Sequence, residues 1–247
     1  MFETLSTVAL TIGASIVVAF LSQALARTPP GRLTVGGVLA AWFLLVLAIG
    51  AAGVLSSGDG AGVPGLGLTV AAPAAALTGA FFAFPSIRSA TLATPLAALV
   101  AVNAIRVLGL MFVALYAAGK LPAPFAPSAG WGDIFVGVTA LPLAWGMLRF
   151  GSRVRGLVLL WNVIGIADLV NAVALGAMSA PGPLQVFAGP PTSALMTSLP
   201  WLIIPGFLVP SLVFIHIVIF YRLAKSEAAA PAHPWVSSGA ARGGASV

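Results

Sequence analysis

An all-α integral membrane protein is the predicted fold class: a bundle of seven transmembrane helices with the N-terminus outside and the C-terminus cytoplasmic. Three observations predict it. Composition is the first, since 60% of the 247 residues are hydrophobic and only 6% are charged, too few to cover the surface of a soluble domain. The second is run length. Apolar stretches of about 20 residues, long enough to cross the hydrocarbon core, follow one another with little between them. The third is the way the basic residues sort to one side when the runs are threaded through a bilayer.

The expected spans are Thr4–Ala26, Leu33–Leu55, Leu66–Phe84, Leu92–Ala118, Trp131–Leu148, Gly156–Ala177 and Ser198–Tyr221. The first follows Met1-Phe2-Glu3, a leader without positive charge, and its apolar run is longer than a signal core. An uncleaved helix is therefore expected despite the small-x-small Ala24-Leu25-Ala26. The third is short and carries Pro73. The fourth holds Asn103 and Arg106, and the sixth Asp168 and Asn171. The fifth combines Asp133 with Gly132, Gly137, Ala140 and Ala144, small residues that let a partner helix approach closely. The last contains His216 below Pro200, Pro205 and Pro210, which interrupt backbone hydrogen bonding and predict a kink or a hinge.

Seven crossings place Arg27, Arg32, Arg88, Arg149, Arg153, Arg155, Arg222, Lys225 and Arg242 on one side, Lys120 on the other and Arg106 inside. The positive-inside rule makes the side with nine cations cytoplasmic. Without the third crossing, Arg149, Arg153 and Arg155 would fall opposite Arg27 and Arg32, so seven spans account for the charges better than six. Tyr116, Trp131 and Trp201 fall near the outer ends of the spans, and Trp145 and Tyr221 near the inner ends, as interfacial belts require. Two outer loops, Lys120–Pro127 and Pro181–Pro191, are rich in proline and read as connectors or as a cap over an outward cavity. Residues 1–222 are expected to form the transmembrane domain. Residues 223–247, rich in Ala, Ser, Gly and Pro and containing His233, read as a disordered cytoplasmic tail.

Function is sought where the apolar pattern breaks. At 1.5 Å per residue, Arg106 lies roughly 21 Å from Leu92, Asp168 roughly 18 Å from Gly156, and Asp133 and Asn171 each roughly 22 Å from their inner boundaries. These residues therefore share one layer slightly outside the midplane. A guanidinium cannot neutralise itself, so Arg106 needs a carboxylate there. Arg106–Asp168 is the expected primary pair, extended by Asp133, Asn103 and Asn171, with Asn103 and Asn171 on the faces of Arg106 and Asp168 by their i, i+3 spacing. One acid would then be left over to bind a proton. His216 near the height of Asn162 reads as an interhelical hydrogen bond, or with Pro205 and Pro210 as part of a gate or relay.

The leading expectation is a membrane protein that binds or transports a small polar or anionic solute through this layer. The rival is a non-transporting subunit, sensor or assembly factor, with a protein partner or a second copy, in which the same layer only locks the helices. No catalytic residue, metal site or cofactor is expected. There is no phosphate loop, zinc motif or nucleophile elbow, and no cysteine. An enzyme is not the favoured class, though one acting on lipid or isoprenoid would suit the location. A retinal protein would need a lysine in the last span, and none is there. The net charge of +6 sits at helix ends, which argues for topology and a lipid bilayer as partner and against nucleic acid. The expected location is the cell membrane, the inner membrane in a bacterium.

Overall fold

The computed structural model describes residues 1–56 and 62–228, among which there are helices and no strand. The elements are α1 (Phe2–Leu25), α2 (Pro29–Ala51), α3 (Gly62–Ala83), α4 (Pro85–Ala93) and α5 (Leu96–Ala101). A 3₁₀ segment, Val102–Gly109, joins α5 to α6 (Leu110–Ala117). They are followed by α7 (Phe125–Phe150), α8 (Arg155–Met178) and, after a π turn at Ile204–Leu208, α9 (Val209–Ala228). The tail from 229 onward, with His233 and Arg242, lies outside the described residues.

Six helical stretches are long and apolar enough to cross a bilayer: Phe2–Leu25, Pro29–Ala51, Gly65–Ala83, Leu96–Ala117, Phe125–Met178 and Ile204–Lys225. The fifth covers 54 residues, more than twice what a crossing needs. It is interrupted at Gly151, whose φ of 56° is open to glycine and strained for other residues. The chain reverses there, and α7 and α8 run antiparallel. Asn171 bonds to Ser128, Asp168 lies on Gly132 and Trp161 bonds to Thr139.

Two expected boundaries move, for the same physical reason. The residue before a proline is driven out of helical geometry, and Phe84 and Thr94 are both extended ahead of Pro85 and Pro95. Leu92 therefore belongs to the short helix α4, and the span that carries Arg106 begins at Leu96. The last helix also starts later than Ser198. Pro200 precedes it, Pro205 lies in the first turn of the helical stretch, where a missing N–H costs little, and Pro210 follows directly on the π turn.

The last helix is central. Its apolar window, Ile204–Lys225, is 78% buried, against 6% for that of α3. Phe207, Phe214, Ile215, Val218 and Ile219 form the axis of the core, with Leu10, Val17, Leu99 and Val136 packed into the same cluster. The outer helices turn Leu44, Leu68, Phe135, Leu141 and Val170 outward, as helices in lipid do. Trp131 and Trp145 are likewise exposed, but Trp201 is buried and stacks on Phe2, so it belongs to the core and not to a belt.

The ends of the bundle differ in charge. At one end Lys120 Nζ donates to Glu3 Oε1 at 3.2 Å. At the other, Arg27 donates to the Ser89 carbonyl, Arg155 to that of Leu223 and Arg222 to that of Thr94.

Candidate functional site

The site is built on the 3₁₀ segment. With three residues per turn, positions three apart stack in one line. Asn103, Arg106 and Gly109 form that line, and all three are buried. The facing helix is α7, which comes into backbone contact: a Cβ on Gly137 would lie 2.5 Å from the Val107 nitrogen and 2.9 Å from the Arg106 carbonyl carbon. Small residues along α7 thus perform the close approach that their spacing predicts.

Arg106 is the hub. Its Nε donates to Asp133 Oδ1 at 2.6 Å and its Nη2 to Asp168 Oδ2 at 2.5 Å. Its Nη1 donates to the Gly165 carbonyl at 3.0 Å and approaches His216 Nε2 at 3.2 Å. The guanidinium therefore collects partners from α7, α8 and α9 at once. Its side chain is 1% exposed, while Asp133 and Asp168 keep 16% and 10%, so whatever access the cluster has runs through the carboxylates.

The hydrogen bonds assign the histidine tautomer. Asn162 Nδ2 donates to the His216 carbonyl at 3.1 Å, which turns Asn162 Oδ1 toward the ring. His216 Nδ1, 2.7 Å from that oxygen, must then donate, leaving Nε2 as an acceptor for Arg106. His216 is neutral in this arrangement. Trp161 packs beside it with ring centroids 5.6 Å apart and donates its own Nε1–H to Thr139 Oγ1.

Each acid, and the imidazole, is seated on a glycine of the neighbouring helix. A Cβ on Gly109 would collide with Asp133, one on Gly132 with the Asp168 carboxylate, and one on Gly165 with the His216 ring. Of these seats the sequence marks Gly132, as a packing residue, and does not mark Gly109 or Gly165. The available signal was the three-residue spacing of Asn162, Gly165 and Asp168, which puts them on adjoining positions of one face of α8.

Of the expected residues, Arg106, Asp133, Asp168 and His216 come together, and two do not join them. Asn103 Nδ2 turns back to the Leu99 carbonyl at 2.9 Å, and its Oδ1 has no partner. Asn171 is exposed and donates to Ser128 Oγ at 2.8 Å. A shared helical face did not suffice, because a short amide finds a nearer partner than a guanidinium on another helix. Neither acid stands apart from Arg106, which bonds both, so a surplus carboxylate would belong to the pair and not to one residue. Pro205 and Pro210 bond none of these groups, and Pro205 instead lines an apolar chamber.

A cavity of about 30 Å³ adjoins Arg106 and Asp133, walled otherwise by apolar side chains such as Leu10, Leu169 and Leu208. That is room for one water. Next to it, sharing Phe112, Ile204 and Val209, lies an apolar chamber of about 200 Å³ with Phe125, Gly176 and Pro205 in its walls. Leu184 of the second proline-rich loop closes part of that chamber. Among the described residues no group of three or more His, Cys, Asp or Glu could hold a metal ion.

A family model described as Domain of unknown function (DUF8737) matches residues 63–224, more than half of the chain. The chain belongs to this family. No curated protein and no solved structure matches it. The DUF8737 region spans α3 to the greater part of α9 and contains Arg106, Asp133, Asp168, His216 and their glycine seats. Helices α1 and α2 precede it, and α1 offers the cluster only an apolar wall through Leu10.

Proposed function

We propose that the chain is a seven-crossing protein of the cell membrane that binds or moves a small polar solute at the Arg106–Asp133–Asp168 layer. The seventh crossing comes from dividing the 54-residue stretch at Gly151, so that α7 and α8 each cross. The arginine-rich end is then cytoplasmic and the Glu3–Lys120 end external. One observation carries the solute reading. Two carboxylates converge on one mid-membrane arginine, and one of them, Asp133, lines with Arg106 a cavity that shares the walls Phe112, Ile204 and Val209 with a larger chamber.

The geometry changes the favoured solute. An open arginine would attract an anion, but this guanidinium is already committed to Asp133, Asp168 and Gly165. The groups left to bind are carboxylate oxygens, which suit a cation or a hydrogen-bond donor. Native mass spectrometry of the protein from mild detergent tests this, comparing wild type with Asp168→Asn. A bound small cationic or donor species in wild type, lost in the variant, is the expected result. An anionic adduct, or identical spectra, counts against it.

The second reading is a non-transporting component whose polar layer fixes helix register. It is favoured by the near-complete pairing of Arg106. That reading expects a stoichiometric protein partner in mild-detergent pulldowns and no solute in either sample.

A further inference from the structure

The charges of the buried cluster do not balance as drawn. Arg106 contributes one positive charge, and Asp133 and Asp168, if both ionised, contribute two negative charges. His216 adds none, because its ring donates from Nδ1 to Asn162 and accepts at Nε2 from Arg106. Among the described residues no other titratable side chain is bonded to the group. The 3₁₀ segment brings Arg106, α7 Asp133, α8 Asp168 and α9 His216, while Arg149, Arg155, Tyr221, Arg222 and Lys225 lie toward the ends of α7, α8 and α9, α1 presents Leu10 and α3 has no ionisable residue. A net negative charge is thus left in mid-membrane, where an uncompensated charge is disfavoured.

We infer that Asp133 and Asp168 together hold one exchangeable proton. It sits on one of the two oxygens that Arg106 does not use, Asp133 Oδ2 or Asp168 Oδ1. Neither has a hydrogen-bond partner among the described residues, so protonation there breaks no bond, and Arg106 keeps both carboxyl groups. The proton belongs to the pair, as in other coupled carboxyl sites. The 30 Å³ cavity beside Asp133 has space for the water that would deliver it. A metal cation is a poorer counter-charge. It needs several oxygen ligands, and beyond Arg106 and Asp133 this cavity is walled by Leu10, Leu108, Phe112, Leu169, Leu208 and other apolar side chains.

This names the ion that would couple to a solute in the reading above, and it rests on that reading for the coupling alone. The proton itself follows from the charge count.

Infrared spectroscopy of the full chain in lipid nanodiscs at neutral pH tests it, in H₂O and in D₂O, for wild type, Asp133→Asn and Asp168→Asn. Wild type is expected to show a protonated-carboxyl C=O band that shifts on deuteration. Each single variant is expected to lose the band completely, because the remaining carboxylate then balances Arg106 one to one. Absence of the band in wild type overturns the inference, and this reading stands even if a variant fails to fold. A band that survives either substitution overturns it too, since the proton would then be held for a reason other than charge balance. Thermal stabilisation by sodium over potassium at equal ionic strength, with no carboxyl band, would put a metal cation in the proton's place. A wild-type band together with no bound solute would leave the proton standing and remove the solute reading.

Discussion

Arg106 and Arg222 lie on spanning stretches of the same bundle, and the protein treats them differently. Arg222, near the C-terminal end of the last helix, donates to a single backbone carbonyl, that of Thr94. Arg155 does the same toward Leu223. Arg106 sits midway along Leu96–Ala117 and takes two carboxylates, a carbonyl and an imidazole. The difference lies in the surroundings. A guanidinium at a helix end can reach headgroups and water, so a carbonyl only steers it. At mid-depth the whole charge must be met by protein. Backbone carbonyls supply the partners at the first kind of site, and the interior carboxylates supply them at the second.

The largest expected effect is obtained by breaking the central site. Arg106→Leu leaves two carboxylates without a counter-charge and should cost about 3–5 kcal/mol or abolish folding. The double variant Asp133→Asn/Asp168→Asn strands the arginine and should cost about the same. Either single Asn variant should lose less than about 1.5 kcal/mol, because one carboxylate still balances Arg106. Unfolding in mixed micelles monitored by far-UV circular dichroism measures all four. Additive losses from the two single variants would mean that the acids act independently, against the strong coupling expected within one charged cluster.

That contrast between ends and centre was legible in the sequence as far as charge alone could take it. Electroneutrality pairs Arg106 with an aspartate, and the positions of Arg27, Arg155 and Arg222 mark them as end residues. Asp133 was expected to extend that pair, whereas the neutral His216 and the failure of Asn103 and Asn171 to join were not legible. They depend on how α7, α8 and α9 are rotated, which the near-uniform apolarity of these helices leaves undetermined. The 3₁₀ winding at Val102–Gly109 has no sequence signal that we can name. The break at Thr94-Pro95 did have one, the restriction a proline places on the residue before it.

The glycine seats sharpen the comparison at intermediate cost. Gly132→Ala places a methyl group on the Asp168 carboxylate and should cost about 1–3 kcal/mol while weakening the Arg106–Asp168 pair. Gly156, at the N-terminal end of α8, has open space around its Cβ position, so Gly156→Ala should be neutral or slightly stabilising. Equal losses for both would mean that helix propensity, and not the seat, sets the cost. At the end of the bundle, Arg222→Gln should lose no more than about 1 kcal/mol, since it gives up one hydrogen bond near water. A loss as large as that of Arg106→Leu would erase the distinction between the two sites.

The smallest expected effect is the most discriminating. Asn103 is fully buried, one 3₁₀ turn from Arg106, and its Oδ1 has no partner. A buried acceptor left unpaired costs about 1–3 kcal/mol, and the Leu99 carbonyl that its amide reaches also lies within a helical ladder. Asn103→Leu, similar in volume, should therefore leave stability within about 1 kcal/mol of wild type or raise it. The decisive measurement is that stability alongside solute binding in the same variant. A stable Asn103→Leu protein that no longer binds solute would put the free oxygen in the working site. One that binds normally would confine recognition to Asp133 and Asp168. A clear loss of stability would mean that Oδ1 has a partner after all, most simply an ordered water held beside the arginine.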